Sequence, residues 1–489
     1  MSGRPNIIMF VSDQQRMDTV SAYGLNGVCK TPNIDAVAGR GALFESAFTP
    51  SALCSPARAS LFTGLYPHKN GVALNDGTLK ENIADLAGCL REAGYSCGYS
   101  GKWHVDKHKG ASDFGFLSRD FMGYGFPGAN FLQGFTFSAA PEKRVNHYAE
   151  YLKEKGLATP SVKNRFVGKN PTNCSQEMFA LHDGPVESCV EYFVAEDTIR
   201  NIKEMKKSGK PFFMWANFWG PHSPSLVPEP YFSMYDPKSI PEHPSYRETF
   251  EKKPNAHKLC EKYWGLGSYG WEGFQEIAAR YFGHCALIDD MVGKVLDYLK
   301  EEGLFDDTAV IFTSDHGDCM GAHKLMEKGP FMYDEIYRVP MAAALPGNLE
   351  GNNKYDGFVY LHDLMPTILD IAGAKIPDGL DGVSLMPALE GRPEDCEAGS
   401  REEVYCMLDA HFFTVNHRMV RTRTHQFTFN PGEFGELYDF TKDPYQLENV
   451  YGEPEYEEIR LDLIKRMERY MKELKDPVYP WFRNIIGAY

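Results

Sequence analysis

The chain alternates between two apolar patterns. Runs without polar interruption occur at Asn6–Val11 (NIIMFV), Pro211–Phe218 (PFFMWANF) and Thr308–Thr313 (TAVIFT), as expected of strands buried on both faces of a parallel sheet. Shorter runs at Ser96–Ser100 and Val339–Leu345 read the same way. Between them the apolar positions recur at helical spacing. Glu81–Ala93 carries Ile83, Leu86 and Leu90 and closes at Gly94; Glu187–Lys207, Ala286–Lys300 and Leu361–Ala372 follow the same rule. Strands alternating with helices predict an α/β fold, with a large, mostly parallel sheet sandwiched by helices through right-handed crossovers.

The pattern weakens in two places. Asp106 to Glu187 and Pro224 to Arg280 are rich in Gly, Pro and aromatic residues and read as long loops over one rim of the sheet. From about Arg401 the texture becomes alternating and aromatic (HFFTVNHRMVRTRTHQFTFN, then ELYDFTKDP), followed by a helix from about Glu457 to Leu474. This predicts a catalytic α/β domain over residues 1–380 and a smaller α+β subdomain over 381–489, with an antiparallel sheet, one helix and an apolar tail, DPVYPWFRNIIGAY. The tail could dock on its own domain or join two copies of the chain.

In parallel sheets ligands bind beyond the carboxyl ends of the strands. Each long run stops abruptly in a polar cluster: Ser12-Asp13-Gln14-Gln15, Gly101-Lys102-Trp103-His104, Gly220-Pro221-His222 and Ser314-Asp315-His316-Gly317-Asp318. A further cluster, Cys54-Ser-Pro-Ala-Arg58, sits where a polar loop enters an apolar helical run. A helix N-terminus there would present free N–H groups and favour anions.

Composition narrows the chemistry. A net charge of −16 over 489 residues excludes nucleic acid and anionic membrane as partners, so an anionic substrate requires positive charge gathered in one pocket. Eleven cysteines without a CxxC pair argue against a disulfide framework or zinc ribbon and favour a reducing compartment. The N-terminal apolar run, Ile7 to Val11, is too short for a signal peptide, which predicts a cytoplasmic protein without membrane attachment.

Asp13, Gln14, Asp315 and His316 would make an oxygen-rich divalent-cation site. Oxygen ligands favour calcium or magnesium, and the imidazole also admits manganese. Singly each residue has a bland reading: Asp13 as a helix cap, Asp315-His316-Gly317 as a turn, Cys54 as a small buried hydrophobe.

The set as a whole resembles the type I sulfatases of the alkaline phosphatase-like superfamily. The likeness rests on CSPAR, GKWH, GPHSP, SDHGD, EKGPFMYDEIYRVP with Lys328, and the C-terminal RMVRT and ELYDFTKDP. It implies that a maturation enzyme oxidises Cys54 to formylglycine, whose hydrated aldehyde attacks the sulfur of a small anionic sulfate ester. A divalent metal, calcium first with manganese or magnesium as alternatives, is held by Asp13, Gln14, residue 54, Asp315 and His316. The resemblance further implies that Arg58, Lys102 and Lys328 neutralise charge and that Asp315 accepts a proton. His222 and Lys328 would assist the leaving alcohol, and His104 would restore the aldehyde. Asp13-Gln14 departs from the paired aspartates common in that family. The expected substrate is a sulfated sugar or glycan fragment, with an aryl sulfate close behind. Two other readings compete: a phosphonate monoester or phosphodiester hydrolase, which tends to lack the GKWH lysine, and an inactive anion-binding protein that keeps Cys54 as a thiol.

Overall fold

The computed structural model describes residues 4–121, 147–168, 176–347 and 353–488. Its centre is an eight-stranded sheet of β1 (Asn6–Asp13), β2 (Ala42–Phe44), β3 (Ser96–Lys102), β4 (Leu117–Phe121), β5 (Phe212–Pro221), β6 (Thr308–Ser314), β7 (Met341–Ala344) and β8 (Asn353–Tyr355). The spatial order is β8-β2-β7-β6-β1-β5-β3-β4. β6, β1, β5, β3 and β4 run parallel, whereas β7 is antiparallel to both of its neighbours.

Alternation along β1 divides the core, because successive side chains of a strand point to opposite faces. Ile8 and Phe10 pack under the helices Val190–Lys206 and Gly270–Glu301, against Phe193, Leu287 and Val292. Ile7, Met9 and Val11 pack on the other face against Ala57 and Leu61 of the Cys54–Thr63 helix, Leu86 of Leu86–Glu92 and Leu364 of Leu364–Ile371. This is the sandwich that the uninterrupted runs require.

A second, four-stranded antiparallel sheet is formed by β9 (Glu403–His411), β10 (Phe413–Thr422), β11 (His425–Phe429) and β12 (Glu436–Asp439). The helix Glu457–Glu473 packs on it, burying Leu463, Met467 and Met471. The C-terminal tail forms a helix, Tyr479–Ile485, that sets Phe482 edge-on against Phe429 of the same chain at 5.0 Å, with Trp481 exposed.

Several expected boundaries move. The helix predicted from Glu81 begins at Leu86, because the Asp85 carboxylate accepts the Gly88 N–H and caps it there. The helix predicted from Ala286 begins sixteen residues earlier, at Gly270. Phe274, Ile277 and Ala278, in the segment read as loop, form its buried face with Tyr281. The Asp106–Glu187 segment holds edge strand β4, a helix at His147–Lys155 and a strand pair, Ser161–Gly168 with Gln176–Asp183; residues 122–146 and 169–175 of that predicted loop lie outside the described residues. Among the described residues, no helix is long and apolar enough to cross a membrane.

Candidate active site

Register aligns the strand ends that matter. Val11 pairs with Thr313 and Ser12 with Ser314, so β1 and β6 release Asp13 and Asp315 side by side. On the other flank Asp13 pairs with Pro221 across an irregularity in β5, next to His222. Lys102 ends β3 at the same rim. The Cys54 helix starts opposite them, with Leu53 extended before it, and stops at Gly64, whose φ of 68° is the left-handed conformation that glycine adopts without strain.

The buried guanidinium of Arg58 ties this rim together. Its Nη2 donates to Asp13 Oδ2 at 2.9 Å, its Nε to Asp315 Oδ2 at 2.9 Å, and its Nη1 to Asn217 Oδ1 at 2.9 Å and the Lys102 carbonyl at 3.2 Å. Arg58 is expected to supply positive charge. Its Nε, Nη1 and Nη2 are all engaged by protein, and it orients the two carboxylates.

Asp13 takes a second cation, Lys102 Nζ, at 2.5 Å, and that ammonium also lies 4.7 Å from the Trp219 ring centroid. Burial alone would raise the Asp13 pKa. The charges of Lys102 and Arg58 outweigh it and hold the carboxyl well below the usual range. Asp315 Oδ1 accepts the backbone N–H groups of Gln14 and His316, each at 3.0 Å, so both of its oxygens are engaged.

Two imidazoles face the pocket in defined tautomers. His316 Nδ1 lies 2.9 Å from the Gly317 carbonyl and must donate to it, which leaves the Nε2 lone pair 3.2 Å from Cys54 Sγ. His222 Nδ1 likewise donates to the Ser223 carbonyl at 2.6 Å, and its Nε2 accepts from Lys328 Nζ at 3.1 Å. Burial, reinforced by Lys328, lowers the His222 pKa well below its ordinary value; His316 is lowered too, chiefly by burial. Both rings are therefore neutral.

One ligand atom each from Asp13, Cys54, Asp315 and His316 lies within 4.8 Å of the others, all four residues buried. Two carboxylates and an imidazole with its lone pair turned inward are a donor set for a divalent cation, and the residues present fit one. Gln14, the fifth expected ligand, has its amide held by two neighbours. Its Oε1 accepts from Lys328 at 2.6 Å and its Nε2 donates to Asp318 Oδ2 at 2.5 Å.

His104 joins the site through a loop. Its Nε2 lies 3.3 Å from Asp76 Oδ1, Asp76 N–H donates to Ser55 Oγ at 3.2 Å, and Ser55 N–H donates to Asn75 Oδ1 at 3.1 Å. Asp76, Asn217 and Asp318 were not foreseen from the sequence. Asn217 sits four residues before Pro221 on a predicted strand, and Asp318 closes the SDHGD motif, so both carried a readable signal. Asp76, in the loop ALNDGT, carried none. His284 and Asp289, on the long helix, lie outside this set: His284 Nε2 lies 3.0 Å from buried Glu191, and Asp289 accepts the N–H of Ile34 at 2.8 Å.

Comparison with known proteins agrees with this geometry. The Sulfatase family profile matches residues 5–374, and that of the N-sulphoglucosamine sulphohydrolase C-terminal region matches 321–473. An arylsulfatase of Clostridium perfringens is 29% identical over 96% of this chain and 95% of its own. An N-acetylglucosamine-6-O-sulfatase of Bacteroides thetaiotaomicron is 26% identical over 97% of this chain and 87% of its own. The crystal structure of a phosphonate monoester hydrolase of Agrobacterium radiobacter superposes with a TM-score of 0.77 at 26% identity, covering 96% of both chains.

Proposed function

This chain belongs to the sulfatase family of the alkaline phosphatase-like superfamily and is a sulfuric ester hydrolase, and on that premise we propose that it cleaves a sulfate monoester of a sugar at a metal-bearing site whose nucleophile is made from Cys54. The observation that carries the reading is the convergence of Asp13, Cys54, Asp315 and His316 within 4.8 Å, beside Arg58, Lys102 and Lys328.

Asp13, Asp315, His316 and residue 54 would hold the ion, calcium in preference to manganese or magnesium, with the Gln14 amide oxygen as a fifth candidate. Bound there, a divalent cation would supply Lewis acidity against the sulfate oxygens, and oxidation of Cys54 to formylglycine would supply a hydrated aldehyde as nucleophile. The remaining work falls to the chain's own side chains. Arg58 fixes the two carboxylates, so charge at the pocket floor is set before substrate arrives. Lys102 adds a compact positive charge at Asp13, where a sulfate oxygen would sit.

The leaving oxygen is the business of Lys328 and His222. Neutral His222, protonated at Nδ1, has no proton at Nε2 to give, so the Lys328 ammonium is the donor and His222 holds it in place. Asp315, engaged at both oxygens, supports this arrangement better than it serves as a proton acceptor. His104, steadied by Asp76, is the base that takes a proton at residue 54 when sulfate departs. The proposed partner is an enzyme that oxidises Cys54. The ten described cysteines are all free thiols, which supports the reducing compartment proposed with it.

The Agrobacterium likeness keeps phosphonate monoester hydrolysis as the second reading. Lys102 favours the sulfate, because both esters are monoanions but the sulfate presents three non-bridging oxygens to the phosphonate's two, and Lys102 offers a contact for the third. Turnover of 4-nitrophenyl sulfate exceeding that of 4-nitrophenyl phenylphosphonate, in protein whose residue-54 peptide shows the aldehyde mass, is the expected outcome. A preference for the phosphonate would reverse the assignment.

A further inference from the structure

Lys328, the proposed proton donor, is held by two neutral acceptors, Gln14 Oε1 at 2.6 Å and His222 Nε2 at 3.1 Å. Both lead back to one buried residue that the proposed reaction leaves unused, Asp318. Its Oδ2 accepts from Gln14 Nε2 at 2.5 Å, and its Oδ1 accepts the backbone N–H groups of Met320 at 2.6 Å and Glu327 at 2.8 Å. The Glu327 carboxylate in turn accepts the Ser223 hydroxyl, and the Ser223 carbonyl accepts the His222 Nδ1 proton at 2.6 Å. Gln14, Met320 and Glu327 have φ of 65°, 41° and 54°, a region that non-glycine residues enter at a cost and keep only where their surroundings hold them.

The direction of the Gln14 amide follows from its two partners. An ammonium only donates, so Lys328 must meet Oε1, and the NH2 group is left for the Asp318 carboxylate, itself 1% exposed. Take away that acceptor and nothing on the Asp318 side favours this direction; once the amide turns, Lys328 faces an NH2 and loses its nearer anchor. A carboxylate at position 14 would instead meet Asp318 as a buried like charge, which accounts for the amide found there.

We propose that Asp318 is a positioning residue for sulfate-ester cleavage: it locks the Gln14 amide with its oxygen toward Lys328 and so aims the ammonium at the leaving oxygen. The inference rests on the sulfate-ester reading and on Lys328 as its proton donor. Asp318 acts through Gln14 and Glu327, with no part in contacting substrate.

Reciprocal substitution tests this. Asp318→Asn keeps an oxygen under the two backbone N–H groups and turns an NH2 against that of Gln14, donor to donor. Gln14→Glu sets carboxylate against carboxylate. Together the two substitutions restore one donor and one acceptor, reversed in direction, and still leave an oxygen for Lys328. The readout is kcat/KM, per mole of residue-54 aldehyde, for phenyl sulfate and for 4-nitrophenyl sulfate. Phenol, with a pKa of about 10, needs a proton as it leaves, whereas 4-nitrophenolate leaves readily without one. Each single variant should lose about tenfold to a hundredfold on phenyl sulfate and no more than about threefold on 4-nitrophenyl sulfate. The double variant should regain most of that loss, whereas a fault elsewhere in the pocket slows both esters alike and is not repaired. A double variant no better than either single one, or equal losses on the two esters, overturns the role of Asp318 while leaving the hydrolysis reading intact. Matured wild-type protein that cleaves neither ester fails the hydrolysis reading and the catalytic role with it. Urea midpoints of the four proteins then judge the pairing alone, which stands only if the double variant regains the stability that each single one lost.

Discussion

Among the described residues, two buried arginines, Arg58 and Arg418, each lie between a pair of carboxylates, and their surroundings differ. Arg58 lies between Asp13 and Asp315 at 2.9 Å each, and Arg418 between Asp409 at 2.8 Å and Asp476 at 2.7 Å. In isolation the two are indistinguishable. The surroundings separate them. Asp476 Oδ2 also accepts from Tyr405 Oη at 2.7 Å and its Oδ1 from the Val478 N–H at 2.7 Å, so the second cluster closes on itself and ties the C-terminal helices to β9 and β10. Around Arg58 the carboxylates also face Lys102, His222, His316 and Cys54, side chains that meet at a point rather than saturate one another. A buried ion pair by itself is weak evidence of either stability or function; convergence of extra titratable groups is what marks the working one.

This contrast can be broken by experiment. The largest effect expected is on Cys54→Ala, with sulfate-ester turnover down on the order of 10⁴-fold or more and little change in melting temperature, measured by sulfate release and calorimetry. Arg418→Ala should do the reverse: it strands Asp409 and Asp476 and costs about 3–5 kcal/mol in denaturant unfolding, while kcat per folded molecule holds. Equal loss of activity in both variants would erase the distinction drawn here. Lys102→Ala should lower kcat/KM for a sulfate ester by about 10²–10³-fold and that for a phosphonate by less. Chelation should lower the melting temperature, with recovery on adding calcium at 100 times its Kd worth about 2.7 kcal/mol, and Asp13→Asn should abolish that recovery.

The smallest effect concerns acid. Burial would raise the Asp476 pKa, but Arg418 prevails and lowers it. A carboxyl whose folded pKa is depressed contributes its stability above the unfolded value and loses it as pH falls through the folded one. Arg418→Met should therefore flatten the decline in stability below about pH 5, read from urea midpoints across pH.

How much of this was legible depended on where each residue's meaning is decided. β1, β5 and β6 are uninterrupted apolar runs, so local sequence declares them and places Asp13, His222 and Asp315 at one rim. The direction of β7 is not a local property. MAAA is equally at home in either orientation, and only pairing with β6 and β2 decides it. The helix from Gly270 was hidden because Gly and aromatic residues argue for loop until neighbours bury them. Asp76 was invisible for a related reason. It acquires its role from a residue of another loop, His104, and no spacing rule reports that.

Pairing of Ser12 with Ser314 has a consequence for biosynthesis. The strand that completes the pocket leaves the ribosome about 260 residues after Cys54, roughly 13–50 s later at 5–20 residues per second. During that interval the thiol is still uncovered, whereas in the finished molecule it is 2% exposed. The proposed oxidation of Cys54 therefore has a deadline, set by translation, and slowing elongation between residues 54 and 315 should raise the fraction of chains that mature.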